Sequence, residues 1–249
     1  LMNENKVELY EDERLDDLHR SGYMLIQNPK RFCFGMDAVL LTGFAKIYEG
    51  DKVLDLGTGT GVIPILLSAK TKAEHFTALE IQEESISMAK RSVLYNNLTE
   101  KIDVIHGDIK DMDSLFKAGS FDAVTVNPPY MNGGGGIIND TSPKAIARHE
   151  ILCTLEDIIK GSGRVLKFKG RLFMVHRPHR LTDILYYLRV YKLEPKTIQF
   201  VQPYKDKEPN MVLIEAVKGG GSMVKVKEPL IIYNQDGSYT EELIKIYYE

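Results

Sequence analysis

The chain has 249 residues, 43% of them hydrophobic and 27% charged. That is ordinary globular composition and excludes a disordered chain, a collagen-like repeat or a disulfide miniprotein. Formal net charge is −3 and the isoelectric point is about 6.1, so average charge does not advertise a nucleic-acid binder, although a local basic face would be enough. No apolar run is long enough to span a bilayer, so no membrane association is expected. Cys33 and Cys153 stand 120 positions apart, outside any CxxC or Cys/His cluster. They read as reduced thiols of a cytoplasmic protein, with no metal site. Leu1-Met2-Asn3-Glu4 lacks the pattern of a signal peptide, and Leu1 reads as an expression remnant.

Residues 13–18, Glu-Arg-Leu-Asp-Asp-Leu, read as one or two helical turns, and Tyr23–Gln27 as a short strand ended by Asn28-Pro29. A mostly apolar helix is expected over 36–47. A regular pattern follows: strand 52–56, a glycine-rich turn, helix 62–69, strand 75–80, helix 83–96 with apolar residues at helical spacing, strand 102–106 and strand 121–126. Alternating strands and helices imply βαβ units and a parallel sheet with helices on both faces. Helix 145–160, strand 170–176 and helix 181–190 continue it. Strands 197–202 and 211–217 are joined by a short loop, which predicts an antiparallel pair at one edge. A strand at 230–233 and a helix at 241–248 form a tail.

Three motifs carry chemistry. The first is Asp55-Leu-Gly57-Thr58-Gly59-Thr-Gly61, after the first strand of the regular pattern. The spacing G-x-G-x-G differs from the dinucleotide fingerprint, and an acid ahead of it would repel a pyrophosphate but attract a cationic amino group, such as that of methionine. The second is Glu80, ending the next strand, 25 positions after Asp55. An acid there can accept both ribose hydroxyls of a nucleoside. Asp108, in Gly107-Asp108-Ile109, is a candidate acceptor for an adenine amino group. The third is Asn127-Pro128-Pro129-Tyr130 after strand 121–126. Two prolines fix the backbone, so that the Asn127 side chain and the Pro128 carbonyl can both accept from one NH₂ group and aim its lone pair at a methyl donor. Tyr130 can stack on a planar substrate.

These motifs resemble the class I S-adenosylmethionine-dependent methyltransferases, specifically those that modify an amino nitrogen and carry Asn-Pro-Pro-Tyr. The flanking segments Phe34-Gly35-Met36-Asp37-Ala38, Ala147-Arg148-His149-Glu150 and Pro229–Tyr233 with Asp236–Glu241 resemble the bacterial tRNA adenine-N6 methyltransferases, over nearly the whole chain. The resemblance implies a Rossmann-like, seven-stranded, mostly parallel sheet with an antiparallel edge strand. It implies S-adenosylmethionine as cofactor, contacted by Gly35, Asp37, Asp55, Gly57, Thr58, Gly59, Gly61, Glu80, Ile81, Asp108 and Ile109. It places the target amine on Asn127 and Pro128, with Pro129 and Tyr130 completing the catalytic loop. It implies tRNA as partner. Arg148 and His149 are candidates for the substrate side, against a helix cap or a salt bridge with Glu150. The run Gly133–Gly136 departs from the family pattern in the loop over the target base.

The stretch from Arg164 to Arg180 holds six Lys or Arg, plus His176 and His179, and no acid. It would either neutralise phosphates or scatter over a solvated rim. The chain divides into an extension covering the cofactor site (1–47), a methyltransferase core (48–218) and a tail packing on the core (219–249). A glutamine N5 protein methyltransferase is the alternative enzyme, although only about 50 residues precede the core. A DNA adenine methyltransferase, a non-catalytic RNA-binding scaffold and an NAD-dependent oxidoreductase fit less well. Oligomeric state is not legible.

Overall fold

The computed structural model describes residues 7–31, 33–128 and 153–248. A hairpin of β1 (Arg14–Asp17) and β2 (Met24–Gln27) precedes helix α1 (Met36–Phe44). The expected helical turn at 13–18 is therefore a strand. Its register partners on β2 and the turn bond from Leu18 N to Tyr23 O win over any local helical preference.

The main unit alternates β3 (Lys52–Leu56), α2 (Val62–Lys70), β4 (His75–Glu80), α3 (Glu83–Tyr95), β5 (Ile102–His106), α4 (Met112–Leu115) and β6 (Phe121–Val126). Past the undescribed segment come α5 (Leu155–Val165), β7 (Leu166–His176), α6 (Leu181–Val190), β8 (Leu193–Gln202) and β9 (Met211–Lys218). The tail adds β10 (Lys225–Val226), β11 (Leu230–Ile231) and α7 (Glu241–Tyr248). The strand order is β10-β8-β9-β7-β6-β3-β4-β5, with β11 also on β8. Seven long strands form the sheet, and the two-residue strands of the tail extend it. β9 runs antiparallel to both β7 and β8, and the other pairs are parallel.

Side-chain alternation along the strands feeds two cores. Val53, Phe76, Ala123, Phe173 and Val175 pack with α1, α2 and Leu243 of α7 on one face. Leu54, Leu79, Val124, Leu172 and Met174 pack with α5 and α6 on the other. Phe76 and Phe173 are fully buried, and burial of a side chain of this size contributes roughly 2–3 kcal/mol. Strands buried on both faces read as continuous apolar runs, which is why β3, β4 and β6 are legible to the residue, whereas β5, at the sheet edge, is read from Ile102, Val104 and Ile105.

Two attachments fix the extension and the tail. The side chain of Asn96 accepts from Met24 N and donates to Met24 O, and Ser92 Oγ accepts from Ile26 N, so α3 holds β2 as a neighbouring strand would. The Glu13 carboxylate takes two bonds from Arg91, whose guanidinium also lies 4.1 Å from the Tyr10 ring. At the other end, α7 lies on α1 where Gly43 leaves room for Ile246. A Cβ at Gly43 would come within 2.6 Å of the Ile246 side chain. No helix among the described residues is long and apolar enough to cross a membrane.

Candidate active site

The strand order reverses between β3 and β6: β4 and β5 lie to one side, β7 to the other. In open α/β sheets, ligands bind beyond the carboxyl ends of the strands at such a switch point. Leu56 pairs with Leu79 on one side and Val126 on the other. Gly57, Glu80 and Asn127, each the next residue, therefore stand side by side at that edge.

The turn after β3 runs through Gly57, Gly59 and Gly61 at φ of +65°, +57° and +88°. Other residues rarely adopt this region. A Cβ built on Gly57 or Gly59 meets nothing within 4 Å, so the turn borders open space. Gly61 then caps the N-terminus of α2. Two contacts hold the turn against β4. Thr58 N donates to Leu79 O at 3.0 Å, and Gly59 N donates to Glu80 Oε2 at 2.8 Å. The other oxygen of Glu80 accepts from Ile81 N and Gln82 N, both at 2.9 Å. Glu80 thus braces two loops at once, a duty its position alone did not announce.

Asp55 is wholly buried. Its Oδ1 accepts from the Thr125 hydroxyl at 2.6 Å, while its Oδ2 and the Thr58 hydroxyl are buried without a hydrogen-bond partner. Burial pushes the Asp55 carboxyl up to about 7, against the pull of the Thr125 bond and of the neighbouring Thr58 hydroxyl, and the nearby Glu80 adds to the rise. Unpaired buried polar atoms are costly, and their place over the glycine turn leaves them an acceptor and a donor for a charged ligand. Thr125 was not singled out as a support in the sequence. A polar residue within the buried end of a strand, as Thr125 is, would have been the signal.

Asp108 caps a short 3-10 turn (Ile109–Asp111) after β5, its Oδ1 accepting from Lys110 N at 2.9 Å. Ile81 is partly exposed and Ile109 half-buried at the same edge. Asn127 is half-buried and Pro128 buried, directly past β6. Pro129, Tyr130, Gly133–Gly136, Arg148 and His149 lie outside the described residues.

Gly35 and Asp37 open α1. Asp37 Oδ1 accepts from Ala38 N, and a Cβ on Gly35 would stand 2.8 Å from that oxygen. The segment before Gly35 is held by Gln27, a buried residue that sequence reading missed. Its Oε1 accepts from Phe34 N at 2.8 Å, and its amide donates to Asp16.

The stretch Arg164–Arg180 is not one phosphate-binding stripe. Arg164 binds the carbonyls of Asp113 and Phe116, Lys167 pairs with Asp122, and Lys169 reaches Gly219 O. Arg171 is buried against Asp51 at 2.6 Å. His176 is buried at the end of β7 and held down to about 4 by desolvation, with Arg180 adding to the effect, so it is neutral near pH 7. Only Arg177, His179 and Arg180 reach the edge that carries the motifs. Alternation along β7 and bonds to acids and carbonyls distant in sequence account for the rest. Cys33 and Cys153 are free and half-buried, and burial pushes the Cys153 thiol up to about 12.

An open, doubly wound sheet with an acid-led glycine turn at its switch point defines a Rossmann-like methyltransferase. The family model described as "Methyltransferase small domain" matches residues 35–188, more than half of the chain, and the chain belongs to that family. Among curated relatives, a Porphyromonas gingivalis protein named tRNA1(Val) (adenine(37)-N6)-methyltransferase is 27% identical over 220 residues, 85% of this chain and 86% of the relative. A protein of the same name from Bacteroides thetaiotaomicron is 31% identical over 142 residues, 57% and 58% of the two chains. Among solved structures, a predicted O-methyltransferase from Agrobacterium tumefaciens superposes with a TM-score of 0.70 at 22% identity, over 85% of this chain and 95% of that one. Geranyl diphosphate C-methyltransferase from Streptomyces coelicolor, solved with S-adenosyl-L-homocysteine, gives 0.55 at 15% identity, over 74% and 80%. These structures share the fold. The protein is an S-adenosylmethionine-dependent methyltransferase.

Proposed function

We propose that this enzyme methylates the exocyclic N6 amine of an adenine in tRNA. The observation that carries the reading is the adjacency of Asn127-Pro128 to the glycine turn at the switch point, with relatives of matching length named for that reaction.

Bound S-adenosylmethionine supplies an electrophilic methyl group on a sulfonium. Asp55 Oδ2 would accept from its ammonium group, and the Thr58 hydroxyl would donate to its carboxylate. Glu80 would accept the ribose hydroxyls on the lone pairs left by its three backbone bonds, and Asp108 would accept from the adenine amine. Gly57 and Gly59 would let the backbone approach closely, and Gly35 and Asp37 would flank the methionine end. Ile81 and Ile109 would line the cofactor's base.

The substrate adenine would be unstacked into the site, which costs least in a single-stranded loop. Asn127 Oδ1 and the Pro128 carbonyl would accept its two N–H bonds, and Tyr130 would stack on the ring. Held in this way, the nitrogen lone pair would face the electrophilic methyl group, and the extra proton of the methylated amine would leave to water. No histidine is needed for this, and positioning supplies most of the acceleration. Residues 1–47 are read as a cover for the cofactor side, 48–218 as the core and 219–249 as a tail. The packing of α1 on α2 and of β10 and β11 on β8 supports the extension and the tail lying on the core. Arg148 and His149 would serve the substrate side, and the site is read as that of a cytoplasmic enzyme.

The test is methyl transfer to total tRNA from a strain lacking the protein, followed by digestion to nucleosides and mass spectrometry. N6-methyladenosine should form with the wild type and be lost with Asn127→Ala, whose cofactor affinity stays within about threefold by calorimetry. Loss of cofactor binding in that variant, or methylation of a protein glutamine instead of RNA, overturns the assignment.

A further inference from the structure

Six aromatic rings run in an unbroken row from the β8–β9 loop across the tail to the N-terminal hairpin. Tyr204 and Tyr233 have ring centroids 5.4 Å apart, Tyr233 and Tyr239 5.5 Å, Tyr239 and Tyr247 6.4 Å, Tyr247 and Tyr248 6.1 Å, and Tyr248 and His19 6.0 Å. Two of the steps are near-parallel, at 25° and 11° between planes. Only part of the row is core. Tyr239 is 45% and Tyr248 54% exposed, and His19 is exposed too. A row of large rings left half in water is poorly explained by stability alone.

Its position is informative. β8 runs parallel to β6, because β9 is antiparallel to both β7 and β8. Tyr204, just past β8, therefore lies towards the same edge of the sheet as Asn127, three strand spacings (about 14 Å) across the sheet and five residues beyond its level along the strands. Tyr233 is tied to that edge by its N–H on Pro203 O. At the other end Tyr247 packs against the core cluster that includes α1, within electrostatic reach of Asp37. The row thus rims the catalytic edge from the β8 end to the start of α1.

We propose that this tyrosine row is a stacking platform for unpaired nucleotides of the RNA that flank the target adenine. Every base has a π-face, a duplex hides it, and neutral aromatic rings accept it with little regard to sequence. Charge is secondary here. The loop after Tyr204 alternates Lys205 and Lys207 with Asp206 and Glu208, and Arg177 donates to Asn210 O at the end of that loop. The platform rests on RNA being the substrate, and it gives the tail a part in choosing a loop over a helix.

The chain has 13 tyrosines, five of them in the row, and no tryptophan, so the part of the tyrosine quenching that is lost in variants of the row reports the row itself. A single-stranded oligoadenylate should quench that emission in the wild type, and a fully paired RNA duplex should not. Tyr204→Leu and Tyr239→Leu should each weaken oligoadenylate binding about five- to tenfold and raise the KM for tRNA similarly. Cofactor affinity and melting temperature should hold, and Tyr239→Phe should bind as the wild type does. A photoreactive single strand should crosslink to residues 230–248 of the wild type, which needs no folded variant. Unchanged RNA affinity in the two leucine variants, equal quenching by the duplex, or crosslinks confined elsewhere overturns the platform. Wild-type methylation of tRNA alongside such a result leaves the substrate reading intact. Oligoadenylate binding through the row without any tRNA methylation overturns the substrate reading instead.

Discussion

The Thr125 hydroxyl donates to Asp55 Oδ1 at 2.6 Å across the β3–β6 pair, in which the two residues are register partners. This bond is the chief force holding the buried carboxyl no higher than about 7, from an ordinary value of 3.8. A raised carboxyl favours the folded state most when protonated. Its contribution is fully present below about pH 4 and is lost as pH rises through about 7. A cationic ligand reverses the preference by pairing with the ionised form. Cofactor affinity should therefore rise as pH increases towards 7, by at most about tenfold per pH unit, and level off above it. Calorimetry at several pH values, in buffers of different ionisation enthalpy, should also show proton release below the break. Thr125→Val should move the break upward, and Asp55→Asn should abolish it. A flat profile in the wild type would remove Asp55 from the ligand's charged end.

Gly35→Ala separates a structural from a ligand-side role for the start of α1. The added methyl would meet only the tip of Asp37, which can swing away. Melting temperature should change by no more than about 2 °C, whereas cofactor affinity should fall about tenfold as the carboxylate is displaced. Equal affinity would show that Asp37 does not face the cofactor.

Glu80 is expected to act on both binding and loop order. Glu80→Gln keeps its size but offers one acceptor oxygen where three backbone N–H groups now find two. Loss of one charge-assisted bond costs roughly 1.5–3 kcal/mol. Cofactor affinity should drop at least tenfold, and amide exchange at Gly59, Ile81 and Gln82 should quicken. Unchanged exchange would mean that the two loops stand without the brace.

Far from the chemistry, Arg171 and Asp51 form a half-hidden ion pair, about 10% exposed, with Arg171 also donating to Lys46 O and lying 4.1 Å from the Tyr48 ring. Asp51→Ala leaves the guanidinium buried without its partner and should cost about 3 kcal/mol or more, seen as a fall of roughly 6 °C or more in melting temperature. Replacing both with Arg171→Met and Asp51→Leu should recover most of that. Cofactor affinity should not move in either case.

The strands β3, β4 and β6 and the three motifs are legible in the sequence because these strands are buried on both faces and each motif stands at a strand end. β3, β4, β5 and β6 need no tertiary information. What the sequence hides is relational. Glu80 reads as a ligand acid, yet its bonds to Gly59 and Gln82 appear only once β3 and β4 are neighbours. The cations from Arg164 to Arg180 look like one patch because the residues that neutralise them, Asp51, Asp113 and Asp122, are distant in sequence or ordinary in type. The strand at 14–17 looks helical because its pairing partner lies beyond a turn. The tyrosine row draws on three separate segments, none of which is unusual by itself.

The grip of α3 on β2 has a metric consequence. Ser92 and Asn96 are one i, i+4 step apart, a rise of about 6 Å along the helix, and they meet Ile26 and Met24, two residues of extended chain, about 6.6 Å. The two repeats match nearly in length, so the helix serves as a gauge against which the strand can be set in one position only. A slip of one residue would lose both bonds together and turn Leu25 away from the core it fills. The hairpin therefore holds its register without a place in the large sheet, and that register fixes where Gln27 stands and, through Phe34, where the loop before α1 begins.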